Sequence, residues 1–331
     1  MKRILILGAI LSFVVFAVLP AQAERIFAES FQKTFGLSRL ENDLVSQTVI
    51  GDTIYYLLRN GSLYTWQPGQ NSYALMTKVK SAPLWNIERP LSQQGQELET
   101  EILESVDCLV PSEEGALYGF NLHSGLIGKI DQNGWHLNDT RLDVSGLTPP
   151  DQYYPEDIFP CFIAGARMYG MMDLYASRGK SAPDTSLLVF DLSDGVCTSI
   201  KMPDVLAFCS YTPGKLLCVK DNGSTIPTLA VYDITTRQTV DHGASFPVSI
   251  PRKSFKTAFE LRSHFGGFAY NRANNAIYVT DEKGPWRSLS GGPFERIPTT
   301  EKWETLSLNP RAWTLSSGGY VTLNEWCFYF R

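Results

Sequence analysis

Apolar runs of strand length, separated by turn residues, recur along the chain, and four of them align on an aromatic residue. They are Ser62-Leu-Tyr-Thr-Trp66, Ala116-Leu-Tyr-Gly-Phe120, Ser186-Leu-Leu-Val-Phe190 and Thr228-Leu-Ala-Val-Tyr232. Each has a Leu three positions before the aromatic (Leu63, Leu117, Leu187, Leu229) and a polar Gln67, Asn121, Asp191 or Asp233 directly after it. That phrase predicts a strand running into a turn. A second β-rich run precedes three of the four, at 53–58, 105–110 and 215–219, with Asn60-Gly61, Glu114-Gly115 and Asn222-Gly223 in between or shortly after. Weaker copies follow at 275–280 with 286–289, and at 320–323 with 326–330.

A unit of about 50 residues with variable insertions matches a four-stranded blade. A single meander has two apolar faces and cannot bury both, so successive meanders stack around an axis and cover one another. The fold expected is therefore all-β: a β-propeller of six four-stranded blades. Seven remain an alternative, because 78–105 and 243–265 are long enough to hold weak strands. The last copy stops at Arg331 after its third strand, and Arg25-Ile-Phe-Ala-Glu-Ser30 is free to supply the fourth, so the N-terminal strand is expected to close the ring.

The chain resembles the six-bladed β-propellers of exported bacterial proteins, the TolB-like and YWTD-like kind, on these aromatic-then-Asp phrases before turns. The resemblance covers nearly the whole mature chain and implies architecture alone, since such propellers host enzymes, receptors and scaffolds. Tyr278-Val279-Thr280-Asp281 is a partial echo of the Tyr-Trp-Thr-Asp motif, which no blade carries in full.

Residues 1–23 read as an export signal: Lys2 and Arg3, an apolar run from Ile4 to Leu19, then Ala21-Gln22-Ala23 as a cleavage pattern. An uncleaved anchor is the alternative, although a run of about 16 residues falls short of the roughly 20 needed to span a bilayer. The expected organisation is a signal at 1–23 and one propeller domain at 24–331, secreted or otherwise extracytoplasmic, in the periplasm or on the cell surface. Losing Lys2 and Arg3 makes the net charge of −5 more negative still, which argues against nucleic acid as a partner. The 44% hydrophobic content suffices for a large core.

Six cysteines fit an oxidising compartment. A two-residue turn at Pro213-Gly214 sets Thr212 opposite Lys215 and, counting outward, Cys209 opposite Cys218, so a cross-strand disulfide between them is a candidate. Two reduced, core-facing cysteines are the alternative, because L-Pro-Gly prefers a type II turn that suits hairpins poorly.

Catalytic signatures are weak. The chain has no Gly-x-Ser-x-Gly elbow, and His123, His136, His242 and His264 are scattered without zinc-binding spacing. The acidic turns Asp191 to Gly195 and Asp221 to Gly223 lack the alternating ligands of a calcium loop. No cofactor is expected, and a calcium ion held in the central channel by several blades would leave no mark in the sequence. Paired carboxylates for glycan chemistry would come from Glu101, Glu104, Asp107, Glu156 or Asp157. Trp85, Tyr153, Tyr154 and Trp303 fall outside the repeat and are the candidate binding residues, since aromatic side chains on long connections suit sugars and peptides. The leading expectation is a module without chemistry of its own that binds an extracellular or envelope protein, peptide or glycan. The alternatives are a propeller-type hydrolase or lyase with carboxylates at the ring mouth, and a passive envelope scaffold.

Overall fold

In the computed structural model, the described residues are 26–30, 44–51, 53–67, 70, 72–81, 103–145, 158–174, 184–249, 268–272, 275–281, 284–297, 313–315, 321–323 and 326–330. All the extended elements pair antiparallel into four-stranded sheets, which makes the protein an all-β propeller. After β1 (Ile26–Ser30), the first blade comprises β2 (Leu44–Ile50), β3 (Thr53–Leu58), β4 (Ser62–Trp66) and β5 (Ala74–Lys78). The second comprises β6 (Cys108–Pro111), β7 (Leu117–Phe120), β8 (Ile127–Asp131) and β9 (Gly134–Leu137). The third holds β10 (Ile158–Ala164), β11 (Arg167–Leu174), β12 (Asp184–Asp191) and β13 (Cys197–Lys201). The fourth holds β14 (Val205–Thr212), β15 (Lys215–Lys220), β16 (Thr228–Asp233) and β17 (Gln238–Ser245). The fifth holds β18 (Phe268–Asn271), β19 (Ala276–Asp281), β20 (Gly284–Leu289) and β21 (Phe294–Arg296).

Five blades, rather than six or seven, are thus each built from one uninterrupted run of four strands. The remaining sheet is a composite of both chain ends: β22 (Trp313–Leu315), β23 (Val321–Leu323) and β24 (Trp326–Phe330), with β1 paired to β24 from Ile26↔Phe330 to Ser30↔Trp326. Its strand β22 lies beside both β2 and β19.

Neighbouring blades bury one another's faces, and a separate apolar cluster fills each of the four seams between consecutive blades. Leu57 and Leu63 meet Leu109 and Leu117 between the first and second blades. Phe120 and Val110 meet Phe190 and Met168 between the second and third. Tyr169 and Leu187 meet Leu216 and Tyr232 between the third and fourth, and Leu217 and Val219 meet Ile277 and Val279 between the fourth and fifth. This explains the run Leu216-Leu217-Cys218-Val219. Side chains alternate across a strand, so Leu216 and Cys218 face one seam while Leu217 and Val219 face the other. An outer strand covers one face only, and β17 is largely exposed.

Two expectations need correction at this level. Trp66, Phe190 and Tyr232 lie on the third strand of their blades, whereas Phe120 lies on β7, the second strand of its own. Aligning aromatics therefore shifted that blade by one strand. No Cys209–Cys218 disulfide is present, and the register does not set the two opposite each other. Thr212 does pair with Lys215, but an extra residue, Tyr211, slips the register so that Ser210 faces Leu216, Cys209 faces Leu217 and Phe208 faces Cys218. One residue of slip moves a side chain to the opposite face. Cys209 packs into the seam with the fifth blade and Cys218 into the seam with the third.

Candidate functional site

In an antiparallel meander, alternate turns fall on opposite faces of the ring. One face carries the turns between first and second strands and between third and fourth, all of them short: 51–52, 112–116, 165–166, 213–214 and 272–275 among the former. The opposite face anchors the turns between second and third strands and every inter-blade connection. Those connections include 79–107, 138–157, 246–267 and 298–312, as well as the link 31–43 into β2. The strand ends from which the long connections depart are thus gathered on one face.

The short-turn face closes on the axis. Arg272, after β18 in the fifth blade, reaches Glu113 in the β6–β7 turn of the second: Nη2 donates to Oε1 at 2.6 Å and Nη1 to Oε2 at 3.3 Å. Nη2 also donates to Ser210 Oγ at 2.9 Å and Nε to the Tyr211 carbonyl at 2.7 Å. The Ser210 hydroxyl in turn donates to Glu113 Oε1. Glu113 N donates to Ile163 O at 2.8 Å, and Glu114 Oε1 accepts from Gly165 N at 2.9 Å, tying the same turn to the third blade. Local sequence gave no sign of this cluster, because Glu113 and Arg272 stand 159 positions apart.

On the long-connection face, Asp107 precedes β6 and both its carboxylate oxygens accept from Leu122 N, at 3.1 and 3.0 Å. Burial pushes this carboxyl up to about 8, against the lowering effect of those backbone N–H groups. The neighbouring turn is held by buried Asn121, whose Nδ2 donates to Ser105 O at 2.6 Å and whose Oδ1 accepts from His123 N and Ser124 N. Burial lowers the His123 imidazole to about 4. Burial thus favours the uncharged form of both groups at this turn.

The other sequence candidates divide sharply. Trp85, Tyr153, Tyr154 and Trp303 lie outside the described residues, as do Glu101, Glu156, Asp157 and His264. Glu104 makes an exposed ion pair with Lys80 at 2.9 Å, an arrangement worth little. His136 contacts Asp131 at 2.9 Å on the surface. The acidic turns are self-satisfied: Asp191 Oδ1 accepts from Ser193 N, Asp194 Oδ1 from Val196 N, and Asp221 Oδ1 from Gly223 N.

No family model matches the chain, and no curated protein matches it. Among solved structures it is similar to a catalytically inactive virginiamycin B lyase from Staphylococcus aureus with quinupristin, at 13% identity over 93% of this chain and 99% of that one, with a TM-score of 0.45. It is also similar to the RRP9 WD40 repeats, at 12% identity over 94% and 99% of the two chains and a TM-score of 0.42. A third likeness is to the extracellular domain of a hybrid two component system from B. thetaiotaomicron, at 11% identity over 92% of this chain and 42% of that chain, TM-score 0.43. None of these likenesses carries an activity over to this chain, and the fold rests on its own strand pairing.

Proposed function

We propose that the protein is an exported β-propeller that binds an extracellular or envelope protein, peptide or glycan on the face carrying its long connections, without a cofactor. The carrying observation is the asymmetry of the ring. One face has short turns drawn together at the axis by Arg272 and Glu113, while the other anchors 79–107, 138–157, 246–267 and 298–312. Long connections on a rigid scaffold supply recognition surface, and Trp85, Tyr153, Tyr154 and Trp303 all belong to these segments. A glycan array and a displayed peptide library, probed with the mature chain, test this reading. Binding that is lost in Trp85→Ala or Trp303→Ala supports it; background signal on both libraries counts against it.

In the same reading the composite sheet joins the two chain ends beside the five blades, with β1 as its outer strand, so cleavage near Ala23 frees the segment that pairs with β24 and closes the ring. Deleting residues 24–31 should then lower the melting temperature of the whole domain in one cooperative step. An unchanged melting temperature refutes closure.

A second reading, a glycan-active enzyme, is favoured by Asp107, whose raised pKa would keep a proton available as a general acid near neutral pH. Glycan hydrolysis by the native chain that disappears in Asp107→Asn would select this reading.

A further inference from the structure

We infer that Glu113 and Arg272 form a latch across the ring axis that couples four blades on the short-turn face. Blades in a ring touch their neighbours, and the second blade is separated from the fifth by the third and fourth on one side and by the first blade and the composite sheet on the other. A direct contact between the second and fifth blades therefore spans the interior of the ring.

The cluster is built from backbone as well as side chains. The Tyr211 bulge in β14 leaves one residue out of the ladder with Lys215 and Leu216, and its carbonyl is the acceptor for Arg272 Nε. The same guanidinium bonds both oxygens of Glu113, a two-pronged geometry that fixes orientation as well as distance. Ser210 adds a hydroxyl that accepts from Arg272 and donates to Glu113. The backbone of Glu113 is held to Ile163 in the third blade. The latch thus joins the second, third, fourth and fifth blades at one point, where seams between adjacent blades join only two.

Partial exposure decides how such a latch behaves. The Arg272 and Glu113 side chains are 40% and 19% exposed, so the pair is neither a free surface bridge nor a dry one. Its free energy falls with added salt, and its contribution appears when the ring opens locally, since opening at any seam between the second and fifth blades must first separate these charges.

The test is a double-mutant cycle on the mature full-length chain, with Glu113→Gln, Arg272→Gln, the double variant and the exchanged pair Glu113→Arg with Arg272→Glu. Native-state hydrogen exchange is read at the amides of 112–116, 163–165, 208–212 and 270–272. Each single variant should speed exchange at all four sites together by about fivefold. The double variant should be no faster than the worse single one, the exchanged pair should recover part of the loss, and 1 M salt should narrow the gap between wild type and variants. Additive effects, or acceleration confined to the mutated turn, would overturn the latch. If Arg272→Gln folds poorly, the exchange rates of Glu113→Gln with and without salt decide on their own.

Discussion

The rings of Phe120 and Phe190 meet across the seam between the second and third blades, with centroids 6.2 Å apart and planes tilted by 57°. Neither side chain is exposed to solvent. They come from different strand positions of their blades, yet both fill the cluster that includes Leu188, Met168 and Ile127. Phe190→Ala removes a fully buried ring and leaves an apolar cavity in the seam, and it should cost about 3 to 5 kcal/mol. Urea unfolding followed by far-UV circular dichroism should show a lower midpoint with an unchanged slope.

Cys218 is fully buried, and burial pushes its thiol up to about 12. The thiolate is the reactive form, so native protein at pH 8 should leave Cys218 unalkylated by iodoacetamide until it is unfolded. Non-reducing peptide mapping should find no link between the peptides of Cys209 and Cys218. A cross-linked peptide would contradict the register set by Tyr211.

Gly125 combines two demands. Its φ of 71° favours glycine, and a Cβ there would run into the Leu142 carbonyl, whose own N–H donates to Gly125 O at 2.8 Å. Gly214 has a similar φ of 74° but open space around the same position. Gly214→Ala should cost about 1 to 2 kcal/mol from backbone strain alone. Gly125→Ala should cost clearly more, because the segment carrying buried Leu142 and Val144 must also move. Paired thermal melts measure the difference.

The pH dependence should reveal Asp107 and His123 acting in opposite directions. Asp107, raised by burial to about 8 from the ordinary 3.8 of an aspartate, binds its proton in the folded state, so its contribution is greatest below about 4 and is lost as pH rises through 8. His123, lowered to about 4 from 6.5, is neutral when folded, so its contribution is present above 6.5 and is lost as pH falls toward 4. Between about 4 and 6.5 the two slopes oppose each other, and between 6.5 and 8 Asp107 alone acts. Stability measured by chemical denaturation should be nearly flat in the lower window and fall across the upper one. Asp107→Asn should flatten the upper window and expose a loss on acidification; His123→Gln should do the converse in the lower window.

Local pattern carried much of this architecture. Apolar runs ended by Asn-Gly, Glu-Gly or Pro-Gly were enough to mark β3, β4, β15 and β16 as strands, because alternation and turn chemistry act over a few residues. The apolar strand-length runs left each meander with two faces to cover, which pointed to stacked meanders. Sequence alone also singled out Asp107 as a candidate carboxylate, though not its burial.

What required the tertiary structure was register and convergence. Counting outward from Pro213-Gly214 paired Cys209 with Cys218, and a single extra residue, Tyr211, undid it, because a bulge is set by what the neighbouring blade and Arg272 demand of that backbone. Phe120 matched its fellow aromatics in sequence yet occupies a different strand, since packing at a seam selects a ring by position in space. The latch was invisible for the same reason. Glu113, Ser210 and Arg272 meet only when the ring curves round and brings separate blades to one axis.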